Sequence, residues 1–120
     1  MDELAREIVP SAMNNMRIEI DEFIELYNKK ECEFVDIRVP METKVWQVNF
    51  GLQIPANELP DRLGELPKDK LIVVACPKAD RSNMARSWLA IQGFEVKYLS
   101  GGLLGLMDSL KGGLAKKIKI

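Results

Sequence analysis

The stretch Leu71-Ile72-Val73-Val74-Ala75-Cys76-Pro77-Lys78-Ala79-Asp80-Arg81-Ser82 decides the fold. Its first five residues carry no polar side chain, so a strand here is buried on both faces, as in a parallel sheet. A cysteine ends that strand, a tight loop follows, and Ser82 opens a helix predicted to run to Gln92. Ala85, Trp88, Leu89 and Ile91 mark the apolar side of that helix, and Gly93 is its stop. Downstream, residues 95–99 read as a strand, Gly101-Gly102 as a tight turn, and residues 103–110 as a last apolar helix. Upstream, residues 33–37 and 51–54 read as strands, and residues 59–66 as a short helix with leucines at four and three. Ile20, Phe23, Ile24 and Tyr27 give one face of a helix, preceded by a short strand at 16–18. Residues 41–50 read as irregular. This alternation implies an α/β domain with a mainly parallel central sheet of about five strands flanked by helices. In such sheets the site lies beyond the carboxyl ends of the strands, here after Ile37, Ala75 and Leu99.

Composition narrows the chemistry. The chain has 120 residues, enough for one domain with a sizeable core. Residues 1–15 read as an N-terminal extension, 16–111 as the domain and 112–120 as a basic tail that alternates like an edge strand. Seventeen basic against 18 acidic residues leave a net charge of -1, which argues against nucleic acid as a partner. Histidine is absent, which excludes Ser-His-Asp triads, Cys-His proteases and imidazole metal sites. Two cysteines without histidine build neither a zinc site nor a disulfide framework. No apolar run approaches the roughly 20 residues of a membrane span. The mixed acidic start and the few cysteines point to a reducing cytoplasm.

The loop after Ala75 is where chemistry can sit. Its amides and the following helix start make an anion cradle, and with Lys78 and Arg81 they favour a thiolate at Cys76. On the local pattern alone, Cys76 reads equally well as one more small buried residue.

The loop and its surroundings resemble the rhodanese-like sulfurtransferases. The segment FVDIR (34–38) is similar to that family's strand ending in Asp-x-Arg, and residues 54–76 to its connecting helix and central strand. RSNMARSWLAIQGFEV (81–96) and YLSGGL (98–103) resemble the helix after the active loop and the closing Gly-Gly segment. The resemblance implies a three-layer rhodanese-like fold and a persulfide on Cys76, held by the amides of Lys78, Ala79, Asp80, Arg81 and Ser82, with no metal and no cofactor. Arg81 would hold an anionic donor. The donor would be a small sulfur-containing anion or a protein persulfide, the acceptor a thiophile or a protein, and the chain a monomer or homodimer. The alternatives are a protein-to-protein sulfur carrier and a non-enzymatic binding module. Cysteine phosphatases place five residues between Cys and Arg, whereas four separate Cys76 from Arg81.

Several residues depart from the family pattern. Pro77 has no N–H, Ala79 stands where glycine is frequent, and Asp80 adds a carboxylate beside Lys78 and Arg81. These features predict weak attraction for a dianionic donor. Asp36 and Arg38 are expected beside the loop, as an acid–base pair or, more simply, as a supporting ion pair, because thiolate chemistry needs no dedicated strong base. Cys32 precedes its strand while Cys76 follows a parallel neighbour, too far apart for a disulfide. Trp46 and Phe50 are expected to pack near the site rim, and Trp88 in the core.

Overall fold

The computed structural model describes residues 2–120; Met1, the first residue of the expected N-terminal extension, lies outside them. Five strands, β1 (Arg17–Ile18), β2 (Cys32–Asp36), β3 (Leu52–Gln53), β4 (Leu71–Ala75) and β5 (Val96–Leu99), form one sheet in the order β1-β5-β4-β2-β3. Every pairing is parallel. The apolar run of β4 sits at the centre, and Ile72, Val73 and Val74 are completely buried.

Alternation along the strands divides the core in two. Val35, Ile72, Val74 and Cys76 face one layer with Leu59, Ala85 and Leu89. Cys32, Phe34, Val73 and Ala75 face the other with Phe23, Leu103 and Leu106. The first layer is covered by α5 (Leu59–Arg62) and α6 (Asp80–Ile91), the second by α3 (Ile20–Asn28) and α7 (Gly102–Leu110). Each completely buried large aliphatic or aromatic side chain contributes about 1.5–3 kcal/mol relative to exposure. Phe50 joins the second layer through rings 5.5 Å from Phe34 and 5.3 Å from Tyr27.

Four local expectations are corrected. Residues 11–15 of the N-terminal extension, which read as linker in the sequence, fall partly in a short helix, α2 (Pro10–Met13), and α1 (Asp2–Arg6) precedes it. The stretch read as irregular begins with α4 (Pro40–Thr43), which has Pro40 in its first turn. The tail is not strand-like: Gly112–Lys117 is a 3-10 helix. Asn28 fastens that tail, donating to the Lys117 carbonyl at 2.7 Å and accepting from the Lys119 N–H at 2.8 Å. Finally, α6 starts at Asp80 rather than Ser82, so Asp80, Arg81 and Ser82 form its first turn.

Candidate active site

The site forms where β4 and β2 end side by side, with Asp36 in register with Ala75. From there the chain runs through Cys76-Pro77-Lys78-Ala79 into α6. Ala79 caps the helix with φ -150° and ψ -14°, a negative φ that does not require glycine. The first-turn amides of a helix have no partner within it, and one of them is aimed at sulfur. The Ser82 N–H donates to Cys76 Sγ at 3.3 Å, and the thiol lies 3.4 Å from Ser82 Oγ. The Ser82 hydroxyl in turn donates to the Ala79 carbonyl at 3.2 Å. Asp80 Oδ1 lies 3.8 Å from Sγ, so one carboxylate oxygen faces the thiol while the residue stays exposed to solvent. Of the amides expected to hold the sulfur, Ser82's reaches Sγ; Lys78 is exposed, and Ala79 packs on the core. Cys76 itself is completely buried.

The loop is braced from behind by α7. Leu103 N–H donates to the Cys76 carbonyl at 2.8 Å and Leu104 N–H to the Pro77 carbonyl at 3.2 Å. This close approach requires glycine at 102. A Cβ there would sit 2.7 Å from the Cys76 carbonyl oxygen and 2.5 Å from that of Pro77, and closer still to that of Lys78. Gly102 also has φ +62°, where L side chains are strained.

Beside the loop, Asp36 and Arg38 form a fully buried ion pair at 2.8 Å. Asp36 also accepts the Arg38 backbone N–H at 3.0 Å, and the Arg38 guanidinium lies 4.2 Å from the Trp46 ring centre while donating to the Trp46 carbonyl at 3.2 Å. The pair thus fixes the turn after β2 and the segment that carries Trp46.

Sequence reasoning missed one residue. Arg81 does not stand free: it makes a two-pronged ion pair with Glu42 of α4, at 2.7 and 2.8 Å. The Arg81 guanidinium holds the Glu42 carboxyl below its usual range, chiefly through these hydrogen bonds. Pro40 and Glu42, first and third in their helix, are a recognisable helix-start pattern, but that pattern does not reveal a partner 39 positions away.

Two shallow hollows flank the loop. One, of about 390 Å³, is walled by Met41, Val45, Trp46, Pro77 and Leu104. The other, of about 340 Å³, lies between α5 and α6 against Met84 and Trp88, so Trp88 is a partly buried wall rather than interior core. Among the described residues, no group of acidic, cysteine or histidine side chains is arranged to hold a metal ion, and no helix is long and apolar enough to cross a membrane.

Comparison with known proteins bears on this geometry. The family model described as rhodanese-like domain matches residues 19–108. A sulfurtransferase of Allochromatium vinosum is 35% identical over 80 residues, covering 66% of this chain and 75% of that protein. A tRNA uridine(34) hydroxylase of Erwinia tasmaniensis is also 35% identical, but the match covers 62% of this chain and 23% of that much longer protein. Among solved structures, a rhodanese-related protein from Thermoplasma volcanium superposes with a TM-score of 0.66 at 26% identity, covering 78% of this chain and 91% of that one.

Proposed function

The chain belongs to the rhodanese-like domain family, whose sulfurtransferases it resembles over most of its length, and from that premise we propose that it transfers sulfane sulfur by carrying it on Cys76. The thiolate of Cys76 attacks the outer sulfur of a donor. A sulfur–sulfur bond forms on the enzyme, and the donor's own bond breaks with its electron pair leaving on the departing group. An acceptor nucleophile then takes the outer sulfur and returns Cys76 to the thiolate. The observation that carries this reading is the Ser82 N–H held 3.3 Å from Sγ at the head of α6. A first-turn amide with its helix dipole favours negative charge on sulfur before and after the transfer. Lys78, Ala79, Asp80 and Arg81 form the wall that a donor meets, and Asp36 with Arg38 fixes the neighbouring turn after β2.

A second reading, sulfur passed between proteins, draws support from the apolar rim of the loop. Met41 and Val45 are 77% and 80% exposed, and Leu104 is 51% exposed, all against one hollow beside Pro77. Such side chains suit a protein surface better than a small anion.

The test is intact mass after incubation with polysulfide, before and after reductant. Wild type and Cys32→Ser should each gain about 32 Da per sulfur in reductant-labile form, and Cys76→Ser should gain none. An adduct retained by Cys76→Ser would overturn the assignment.

A further inference from the structure

Arginine and a carboxylate pair through two parallel hydrogen bonds, and arginine grips sulfonate-like oxyanions through the same planar fork. In this protein both terminal nitrogens of Arg81 are already taken. Nη1 donates to Glu42 Oε1 at 2.7 Å and Nη2 to Glu42 Oε2 at 2.8 Å. Glu42 is mounted to stay there. Its Oε1 also accepts the Val39 N–H at 3.3 Å, and Val39 directly follows Arg38, which the buried Asp36 pair immobilises. Pro40 at the start of α4 removes further freedom from this turn. A small oxyanion that seeks the Arg81 fork therefore competes with a carboxylate built into the fold.

The local charge agrees with that competition. Lys78 and Arg81 supply two cations near the sulfur, and Asp80 and Glu42 supply two carboxylates, so the mouth of the loop has no net positive charge. Asp80 lies 3.8 Å from Sγ itself. A dianion such as thiosulfate meets no excess of positive field, whereas an alkyl persulfide, R–S–SH, carries at most a single negative charge and has no oxyanion group to be gripped.

The geometry points to Glu42 as a specificity-determining residue: it occupies Arg81 and turns the Cys76 site away from small sulfur oxyanions toward alkyl persulfide donors. This inference rests on the persulfide chemistry proposed for Cys76. With the favoured donor, the Cys76 thiolate bonds to the terminal sulfur of R–S–SH, the R–S bond to that sulfur breaks, and the thiolate R–S⁻ leaves with the electron pair. The product is Cys76–S–SH. No external oxidant or reductant enters the balance. With thiosulfate the same attack would release sulfite.

The experiment compares two donors, thiosulfate and 2-hydroxyethyl persulfide, on wild type, Glu42→Gln and Glu42→Ala. The readout is the rate of sulfur addition to Cys76, by rapid quench and mass spectrometry, at low and moderate salt. Freeing the Arg81 fork should raise the ratio of thiosulfate rate to alkyl persulfide rate about tenfold in both variants. The gain should shrink as salt is added. Thermal melts accompany the rates, and if the alanine variant unfolds, the near-isosteric glutamine variant carries the comparison. A ratio unchanged in the folded variants, with Cys76 still acquiring sulfur, overturns the role of Glu42 and leaves the persulfide reading standing. No adduct on wild-type Cys76 from either donor overturns both.

Discussion

The two cysteines occupy opposite ends of neighbouring strands, and their surroundings differ in almost everything except burial. Cys32 opens β2 on the layer under α3 and α7, at the end of the sheet where Tyr27, Asn28 and Lys70 lie. Burial, with the Glu33 charge adding to it, pushes its thiol up to about 12. Cys76 follows β4 on the opposite layer and receives the Ser82 amide. Both thiols are free. In the register of the two strands Cys32 sits beside Leu71, so roughly a strand length, about 16 Å, separates it from Cys76. On the function proposed for Cys76, burial alone gives a thiol no role, and a helix start aimed at the sulfur gives it one; the parallel sheet brings helix starts to the carboxyl ends of its strands.

The most forceful way to break this comparison is to exchange the roles by mutation. Cys76→Ser should reduce sulfur transfer to the background rate, and Cys32→Ser should keep most of it, as measured by steady-state transfer from polysulfide to cyanide. If both variants lost activity alike with their folds intact, the two ends would not be functionally distinct.

Next in size is the brace behind the loop. Gly102→Ala forces a methyl group against three loop carbonyls at a positive φ. It should cost about 3 kcal/mol in urea unfolding, within the range for strain at special backbone positions. Gly64→Ala, where nothing lies within 4 Å of the new methyl, should cost little by comparison.

A smaller effect sharpens the electrostatic side. Asp80→Asn removes a carboxylate 3.8 Å from Sγ. Thiosulfate KM should fall by about three- to tenfold, less in added salt, while Cys76 remains the residue that carries sulfur.

The smallest effect belongs to the inert end. Because the folded pKa of Cys32 is raised, the folded state holds its proton more tightly than the unfolded chain does. Its contribution to stability is complete below about pH 9 and is lost as pH rises toward about 12. Cys32→Ala should flatten the alkaline limb of a stability–pH profile. Glu31, Glu33 and Lys70, the charged groups that act on the thiol, remain in place as the control. An unchanged slope would mean that Cys32 ionises as readily folded as unfolded.

Much of this arrangement was legible in the residues. The unbroken apolar run 71–75 placed the central strand, and the alternation around it placed every other strand within a residue or two. Burial on both faces leaves such a run few other destinations. The position of Cys76 followed from the same logic. The short elements were less legible, because α2 and α4 are each a single turn that packing and proline stabilise more than intrinsic propensity does. The tail misled because its alternation suggests a strand, whereas Asn28 offers it hydrogen bonds on the side of α3. The start of α6 moved because aspartate is favourable in a first helical turn, which brought Asp80 beside the thiol. Glu42 was the real omission. A contact between side chains distant in sequence leaves no periodic trace, and it changes Arg81 from a free cation into a paired one.

The brace between α7 and the loop also sets an order of events. During synthesis β4 and Cys76 leave the ribosome well before residues 102–104, whose backbone completes the hydrogen bonding of the Cys76 and Pro77 carbonyls. Until that last helix docks, the nascent chain carries a cysteine whose loop lacks its backing. On the function proposed for Cys76, the loop that would hold sulfur is therefore completed late in biogenesis, together with the closing of the domain.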